Sequence, residues 1–332
     1  MGPARADSGR PEAVAIIGGG PAGSAAALAA IGEGAACSIA EKSKFPRHKV
    51  CGEFFSPEIE AELCALGAWD AFRGAEPAAI RRMKLCFGTR EKVARLPEVA
   101  WGLSRYAFDY LMLERVHRLK PVPPVRDRLQ PVTNVIACGR RVEATARGRR
   151  LFGFKAHFEG PADDAVELYF FGGCYVGVAP VENGVTNVCG LGPEDFLRRF
   201  DFDFDAVVRE SAALGERLRP LERKFAWLST GPLEYGQRFG DSQNYLAGDA
   251  LSFVDPFTGS GLVTAVKTGA LAGMAAARGE APAVHIARCR KALRRPFEVS
   301  GVFRRAIGSG WAEKLVGFVP GGVLFAMTRP RG

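Results

Sequence analysis

AVAIIGGGPAGSAAALAA, residues 13–30, is the stretch that decides the fold. Ala13 to Ile17 form a short apolar run that reads as a buried strand. Gly18-Gly19-Gly20-Pro21 follow, and Ala22-Gly23-Ser24 opens an alanine-rich run that favours helix. A second apolar run, CSIAE, ends on Glu41. Strand, glycine turn, helix and a second strand with a terminal acid is the context in which G-x-G-x-x-G marks a dinucleotide site. Gly18 permits the sharp turn. Gly20 lets backbone approach a diphosphate, and Gly23 with Ala27 lets the helix pack closely. The helix start at Pro21 and Ala22 offers its partial positive charge to the phosphates. Glu41 can accept hydroxyl hydrogen bonds from an adenosine ribose.

A second glycine turn lies far down the chain. NYLAG reads as a strand, and GDALSFVDPFTGSGL (248–262) leads from it into a small-residue helix, 261–277. Gly248, Asp249, Pro256, Thr258, Gly259, Ser260 and Gly261 make a costly plain turn but a good surface for something flat and electron-rich. If both preceding strands belong to one parallel sheet, both turns open on the same edge. One ligand then spans them, with ADP on the first turn and a flat ring on the second. Flavin adenine dinucleotide (FAD) has that length and chemistry, whereas NAD alone would not need the second turn.

The chain has 332 residues, 47% hydrophobic and 24% charged, enough for two modest domains or one large fold with an inserted sheet. Its net charge of +9 is scattered and no nucleic-acid motif accompanies it, so a nucleic-acid partner is not expected. The eight cysteines form no C-x-x-C pair, and only four histidines occur, so no metal site is expected. The cysteines read as small core residues of a reducing compartment. The polar N-terminus does not look like a signal peptide, and no apolar stretch reaches membrane-spanning length, which points to a cytoplasmic protein. LVGFVPGGVLFAM (315–327) is broken by Pro320, Gly321 and Gly322. It is expected to lie on a membrane as a peripheral contact or to close a greasy pocket, not to span.

Between these landmarks, 56–73 reads as one helix capped by Ser56 with Pro57 at its first position, and 80–88 as a strand. Residues 103–116 form an amphipathic helix capped at Ser104. Residues 117–150 are rich in Pro and Arg and keep one apolar strand, VTNVIA. Residues 151–192 alternate apolar and polar with Gly breaks, as an antiparallel meander does, with an Asn-Gly hairpin turn in VENG. Residues 194–219 read as helical, FAWLSTGPL as a strand, and the C-terminal part as helical and basic. The fold class is therefore α/β: a Rossmann-like FAD-binding domain (12–150 and 225–280), an inserted antiparallel substrate-side sheet with helices (56–100 and 151–224), and a helical C-terminus (281–332).

The sequence resembles the FAD-dependent oxidoreductases of the aromatic hydroxylase and geranylgeranyl reductase type. VAIIGGGPAGSAAA with Glu41, FPRHKVCGEFFSPE, LSRYAFDYLM and YLAGDALSFVDPFTGSGL carry the resemblance, and GGCYVGVAPVENGVTNVCGL is similar to their substrate-side sheet. The resemblance implies that Gly18, Gly20, Pro21, Ala22, Gly23, Glu41 and Lys42 hold the ADP half of FAD. Arg47 and Arg105 would sit near its ribose or diphosphate. Cys51 and Gly52 would lie near the flavin, although packing explains Cys51 equally well. Gly248 and Asp249 would meet the ribityl chain, and Pro256 with the backbone of Thr258 to Gly261 would lie beside the ring. Trp227 and the many phenylalanines read first as core, yet their number suits an apolar or aromatic substrate.

NAD(P)H is implied as a transient electron donor. KVCGEFFSP leans toward the reductase branch and so toward reduction of an apolar, isoprenoid-like alkene. Hydroxylation of an aromatic or polyketide-like ring is the alternative, and a non-catalytic relative is another. No side-chain acid–base pair stands out. A Trp-x-Trp-x-Ile-Pro stretch is missing, which argues against halogenation. One departure matters. The family's Ala-Asp-Gly turn reads Ala137-Cys138-Gly139 here, and the segment between Val116 and Asn134 is short. Loss of that Asp is expected to weaken FAD binding and NADPH-driven reduction.

Overall fold

Residues 13–119, 133–139, 150–233, 236–237, 243–253 and 259–293 are described by the structure, a computed structural model. A four-stranded sheet holds, in spatial order, β14 (Tyr245–Leu246), β6 (Thr133–Ile136), β1 (Val14–Ile17) and β2 (Cys37–Ala40). Every pair is parallel, with Val14 beside Cys37 on one side and Thr133 on the other, and Tyr245 beside Val135. The turns that follow β1, β6 and β14 therefore leave the sheet at one edge, as the sequence requires for a ligand that spans them. Helix α1 (Pro21–Gly32) packs against α8 (Gly261–Ala277). A Cβ at Gly269 or Gly273 would come within 2.1 Å of the Ala22 oxygen or 2.0 Å of the Ala26 oxygen. The glycines and alanines of both helices thus let the backbones touch.

The second sheet is mixed and has nine strands. Its order is β11 (Glu222–Arg223), β7 (Leu151–Glu159), β10 (Thr186–Pro193), β9 (Cys174–Pro180), β8 (Ala165–Phe171), β4 (Ala78–Phe87), β5 (Arg90–Gly102) and β3 (Phe54–Phe55), with β12 (Leu228–Leu233) also on β7. The expected meander holds only for β8, β9 and β10. Strand β8 gives one edge to β9 and the other to β4, which runs parallel to it, so β7 pairs with the free edge of β10. The Asn-Gly turn is present, with Asn183 and Gly184 at φ 59° and 69°. A two-stranded ribbon joins β13 (Gly236–Gln237) and β15 (Ser252–Phe253).

Two helix expectations need correction. Residues 56–73 split into α2 (Ile59–Ala65) and α3 (Trp69–Gly74), because Gly67 takes a left-handed φ of 61°. Ser56 lies in the turn before α2, and its hydroxyl caps nothing. Residues 194–219 break into α5 (Glu194–Leu197), α6 (Phe204–Arg209) and α7 (Ala212–Leu218), with Asp201 and Phe202 left-handed between the first two. By contrast α4 (Arg105–Arg118) begins as expected, with the Ser104 hydroxyl accepting from the Ala107 N–H at 3.1 Å. Residues 282–293 are helical. The 315–327 stretch lies outside the described residues, among which no helix is long and apolar enough to cross a membrane.

Side chains alternate across the mixed sheet. Phe154, Ala156, Phe158, Tyr169, Val176, Val178 and Val188 point to one face, where Leu197, Phe204, Val207 and Leu214 of α5–α7 cover them. The opposite face turns toward the parallel sheet and is not uniform. Its β8 and β4 end is apolar, with Met83, Leu85, Phe87 and Phe170 buried against Phe54 and Leu168. The β7 and β10 end carries Lys155, His157, Asn187 and Cys189.

Candidate functional site

The first glycine turn is built by two close approaches. Gly18 has φ 108°, and a Cβ there would sit 2.4 Å from the Ala137 oxygen at the end of β6. At Gly23 it would sit 1.8 Å from the Gly18 oxygen, so the helix packs directly on the turn. Gly20 is different. Its Cβ would project into open space, with only the Arg105 Nη2 at 3.8 Å. Glu41 fixes the turn by accepting from the Gly19 N–H at 2.8 Å and the Ser43 N–H at 2.7 Å. Burial pushes its carboxyl up, but those two donors and the charge of Arg47 outweigh it and hold the group below its ordinary value. A carboxylate has about four acceptor sites, so hydroxyl partners remain acceptable to it.

The second and third turns face the first. Gly248 has φ 58°, donates to Thr268 Oγ1 at 2.9 Å and lies against Ala22. Asp249 follows, half-buried. Gly259 is left-handed and fits against the Phe54 ring, while a Cβ at Gly261 would meet nothing within 4 Å among the described residues. Ser260 is buried just before α8. Pro256 and Thr258 lie outside the described residues. After β6, Cys138 is exposed, and the Lys49 ammonium stands 3.6 Å from where a Gly139 Cβ would be.

Cations line this crevice. Arg105 is buried and paired bidentately with Asp109 across one helical turn, at 2.5 and 2.7 Å. Burial opposes its charge, and the Asp109 carboxylate more than offsets this, raising its pKa further. Lys49 is pulled below its ordinary value first by burial and then by Arg105, with Asp249 and Asp109 acting in opposition. Arg47 packs its guanidinium 5.0 Å from the centre of the Phe45 ring, and its Nε has no hydrogen-bond partner among the described residues. Lys42 is exposed. Cys51 is half-buried and Gly52 exposed in the loop that closes the crevice on the side of the mixed sheet.

That loop, Lys49 to Glu53, holds the residues the sequence reading missed. Glu53 is fully buried and left-handed at φ 54°. Its carboxylate accepts from the Arg105 N–H at 2.6 Å, from His157 Nε2 at 2.7 Å and from the Lys155 ammonium. Burial pushes the Glu53 carboxyl up, and the His157 and Lys155 donors reverse that to a net lowering. The signal was present in LFGFKAHFE, where two polar residues sit two apart inside a strand otherwise apolar enough to be buried.

No protein-family model matches the chain. The flavin-dependent brominase Bmp2 superposes with a TM-score of 0.78 at 17% identity, covering 96% of this chain and 93% of that one. A flavoprotein/dehydrogenase from Cytophaga hutchinsonii gives 0.71 at 19% identity over 92% and 87%. The chain shares the fold of these two proteins. A geranylgeranyl bacteriochlorophyll reductase-like protein from Thermoplasma acidophilum also superposes, at TM-score 0.67 and 17% identity over 95% and 90%. In sequence, the chain is 44% identical to a menaquinone reductase of Mycolicibacterium smegmatis over 54 residues, which is 16% of this chain and 13% of that protein.

The residues suit the cofactor of that fold. Gly20, Gly52 and Gly261 leave backbone open where a Cβ would otherwise stand, and Arg47, Lys49 and Arg105 gather positive charge between them. A flat ring carrying a dianionic diphosphate needs both features.

Proposed function

We propose that the chain is a FAD-dependent oxidoreductase whose cofactor lies along the common edge of the three glycine turns. The observation that carries this reading is the convergence of Gly20, Gly139 and Asp249 at that edge beside Lys49 and Arg105. Bound there, FAD would supply hydride and electron transfer, and the protein supplies binding, orientation and exclusion of water. Gly18 to Gly23 and the start of α1 take the diphosphate with Arg47 and Arg105, and Glu41 takes the adenosine ribose. Asp249 takes a ribityl hydroxyl. Gly259 to Gly261 bring the start of α8, with its partial positive charge, to the ring.

The apolar end of the mixed sheet suits a greasy substrate. Phe54 links that end to Gly259, and Met83, Leu85, Phe87, Leu168 and Phe170 extend it. This favours reduction of an apolar, isoprenoid-like alkene with NAD(P)H as donor. The test is anaerobic mixing of the FAD-loaded protein with NADPH, then addition of a polyprenyl alkene or of oxygen with an aromatic substrate. Flavin reoxidation by the alkene supports reductase chemistry. Oxygen uptake in step with NADPH loss would move the reading to monooxygenase.

A non-catalytic relative is the second reading, and Cys138 is its specific observation. It is exposed at the crevice edge where the resemblance calls for a carboxylate. NADPH that leaves bound FAD oxidised in the native chain but reduces it in Cys138→Asp would favour that reading.

A further inference from the structure

The loop that carries Cys51 is held from the mixed sheet by buried polar groups at nearly every residue. Lys155 donates both to the Glu53 carboxylate and to the Lys49 carbonyl, the latter at 3.2 Å. His157 holds the other carboxylate oxygen. Asn187 Nδ2 donates to the Cys51 and Gly52 carbonyls at 3.1 and 2.9 Å. Cross-strand register places these side chains together, with Asn187 opposite His157 and Cys189 opposite Lys155. Lys155, His157 and Asn187 are 0%, 4% and 1% exposed, as deeply buried as the apolar core. Glu53 also accepts the Arg105 N–H, and Arg105 reaches Gly20. One carboxylate thus ties the mixed sheet to the diphosphate end of the crevice.

A buried charge cluster of this kind is an expensive way to gain stability, since a packed apolar set does as well. It does define one geometry, because each donor accepts few alternatives. The left-handed Glu53 points the same way, for a strained buried residue persists only where its surroundings over-determine it.

We propose that Lys155 and His157, through Glu53, and Asn187, through the Cys51 and Gly52 carbonyls, are positioning residues that set the Cys51–Gly52 backbone against the ring of the bound flavin. The inference rests on the FAD reading above and adds to it a link from the substrate-side sheet to the cofactor's electronic environment.

The experiment uses the full chain with FAD. Lys155→Met, Glu53→Gln, the double variant Glu53→Gln/Lys155→Met and Asn187→Ala are compared with Tyr169→Phe. The last removes a buried hydrogen bond to Glu167 on the opposite face. Melting temperature, FAD affinity, the visible flavin spectrum and the midpoint potential are measured. Lys155→Met should lose stability while FAD affinity falls by no more than about threefold, because other turns hold the ADP half. Its flavin spectrum should lose resolved shoulders. The ratio of affinities for reduced and oxidised FAD should change about tenfold, roughly 30 mV for a two-electron couple.

The double variant should recover melting temperature, since no unpaired charge stays buried, yet keep the displaced spectrum and potential. Asn187→Ala should displace both with charge unchanged, and Tyr169→Phe should displace neither. Should Lys155→Met not fold, the double variant and Asn187→Ala carry the same comparison. Recovery of spectrum and potential together with melting temperature would reduce the cluster to a structural role and overturn the proposal. So would native flavin properties in Asn187→Ala. A native chain that binds no FAD would bring down the functional reading and this inference together. A native chain that binds FAD beside variants without a flavin shift would overturn this inference alone.

Discussion

The two ends of one sheet face make an instructive pair. At the β7–β10 end, Lys155, His157 and Asn187 all turn to the Lys49–Glu53 loop. At the β8–β4 end, Met83, Leu85, Phe87 and Phe170 are buried against one another and against Phe54 and Leu168, with no charge among them. The next residue of the chain, Phe54, belongs to this second end. One turn of backbone at Glu53-Phe54 therefore joins a polar fastening to an apolar wall. Directional bonds fix the first in one geometry, and shape alone packs the second.

The largest expected effect breaks the polar end. Glu53→Leu leaves the Lys155 ammonium buried without its carboxylate and should cost about 4 kcal/mol of folding stability, read by urea unfolding. A cost below about 1 kcal/mol would mean that water reaches the cluster. At the apolar end, Phe170→Ala removes a ring stacked on Phe87 at 4.4 Å and should cost about 3 kcal/mol. It should leave FAD affinity as it was, so a large loss of FAD would erase the distinction between the ends.

Acid separates the two ends further. Burial holds the His48 and His285 imidazoles below their ordinary value, so the fold resists their protonation. Below the unfolded histidine pKa of about 6.5 the unfolded chain binds the extra protons, and stability falls. Glu41 and Glu53 have lowered carboxyl pKa values. Their contribution is complete above the unfolded value of about 4.3 and is lost as pH falls through the folded value. The urea midpoint should therefore drop in two stages on acidification. Glu53→Gln should flatten the lower stage, and Phe170→Ala should keep the native slope. An unchanged lower stage in Glu53→Gln would show that this carboxylate does not govern it.

The smallest effect is expected at Cys138. Its side chain is exposed, so a carboxylate there is worth little, and Cys138→Asp should change the FAD dissociation constant by no more than about fivefold. A larger change would make this turn, not the Glu53 loop, the sensitive link.

The first glycine turn was readable because local rules determine it. Gly23 answers to the Gly18 oxygen within one strand–turn–helix unit and Glu41 closes the same unit, whereas the approach of Gly18 to Ala137 of β6 belongs to the tertiary fold. The Asn183-Gly184 turn was readable for the same reason, while the small residues of α8 marked a buried helix without naming its partner, since Gly269 and Gly273 meet Ala22 and Ala26 of α1. The order of the mixed sheet was not, because β4 competes with β7 for the edge of β8, and nothing local shows which wins. The long helices at 56–73 and 194–219 failed where Gly67, Asp201 and Phe202 turn left-handed. The Glu53 cluster escaped because Glu53 and Lys155 lie 102 residues apart, although two polar residues inside LFGFKAHFE already signalled a buried partner.

The account rests on the crevice binding FAD, and a fluorescence titration of the purified full chain with FAD tests that most directly. It predicts saturable quenching at one FAD per chain. Binding should be lost in Gly20→Val, whose Cβ would meet, among the described residues, only the Arg105 Nη2 at 3.8 Å, while the melting temperature stays native. No saturable quenching, or native binding in Gly20→Val, would contradict it.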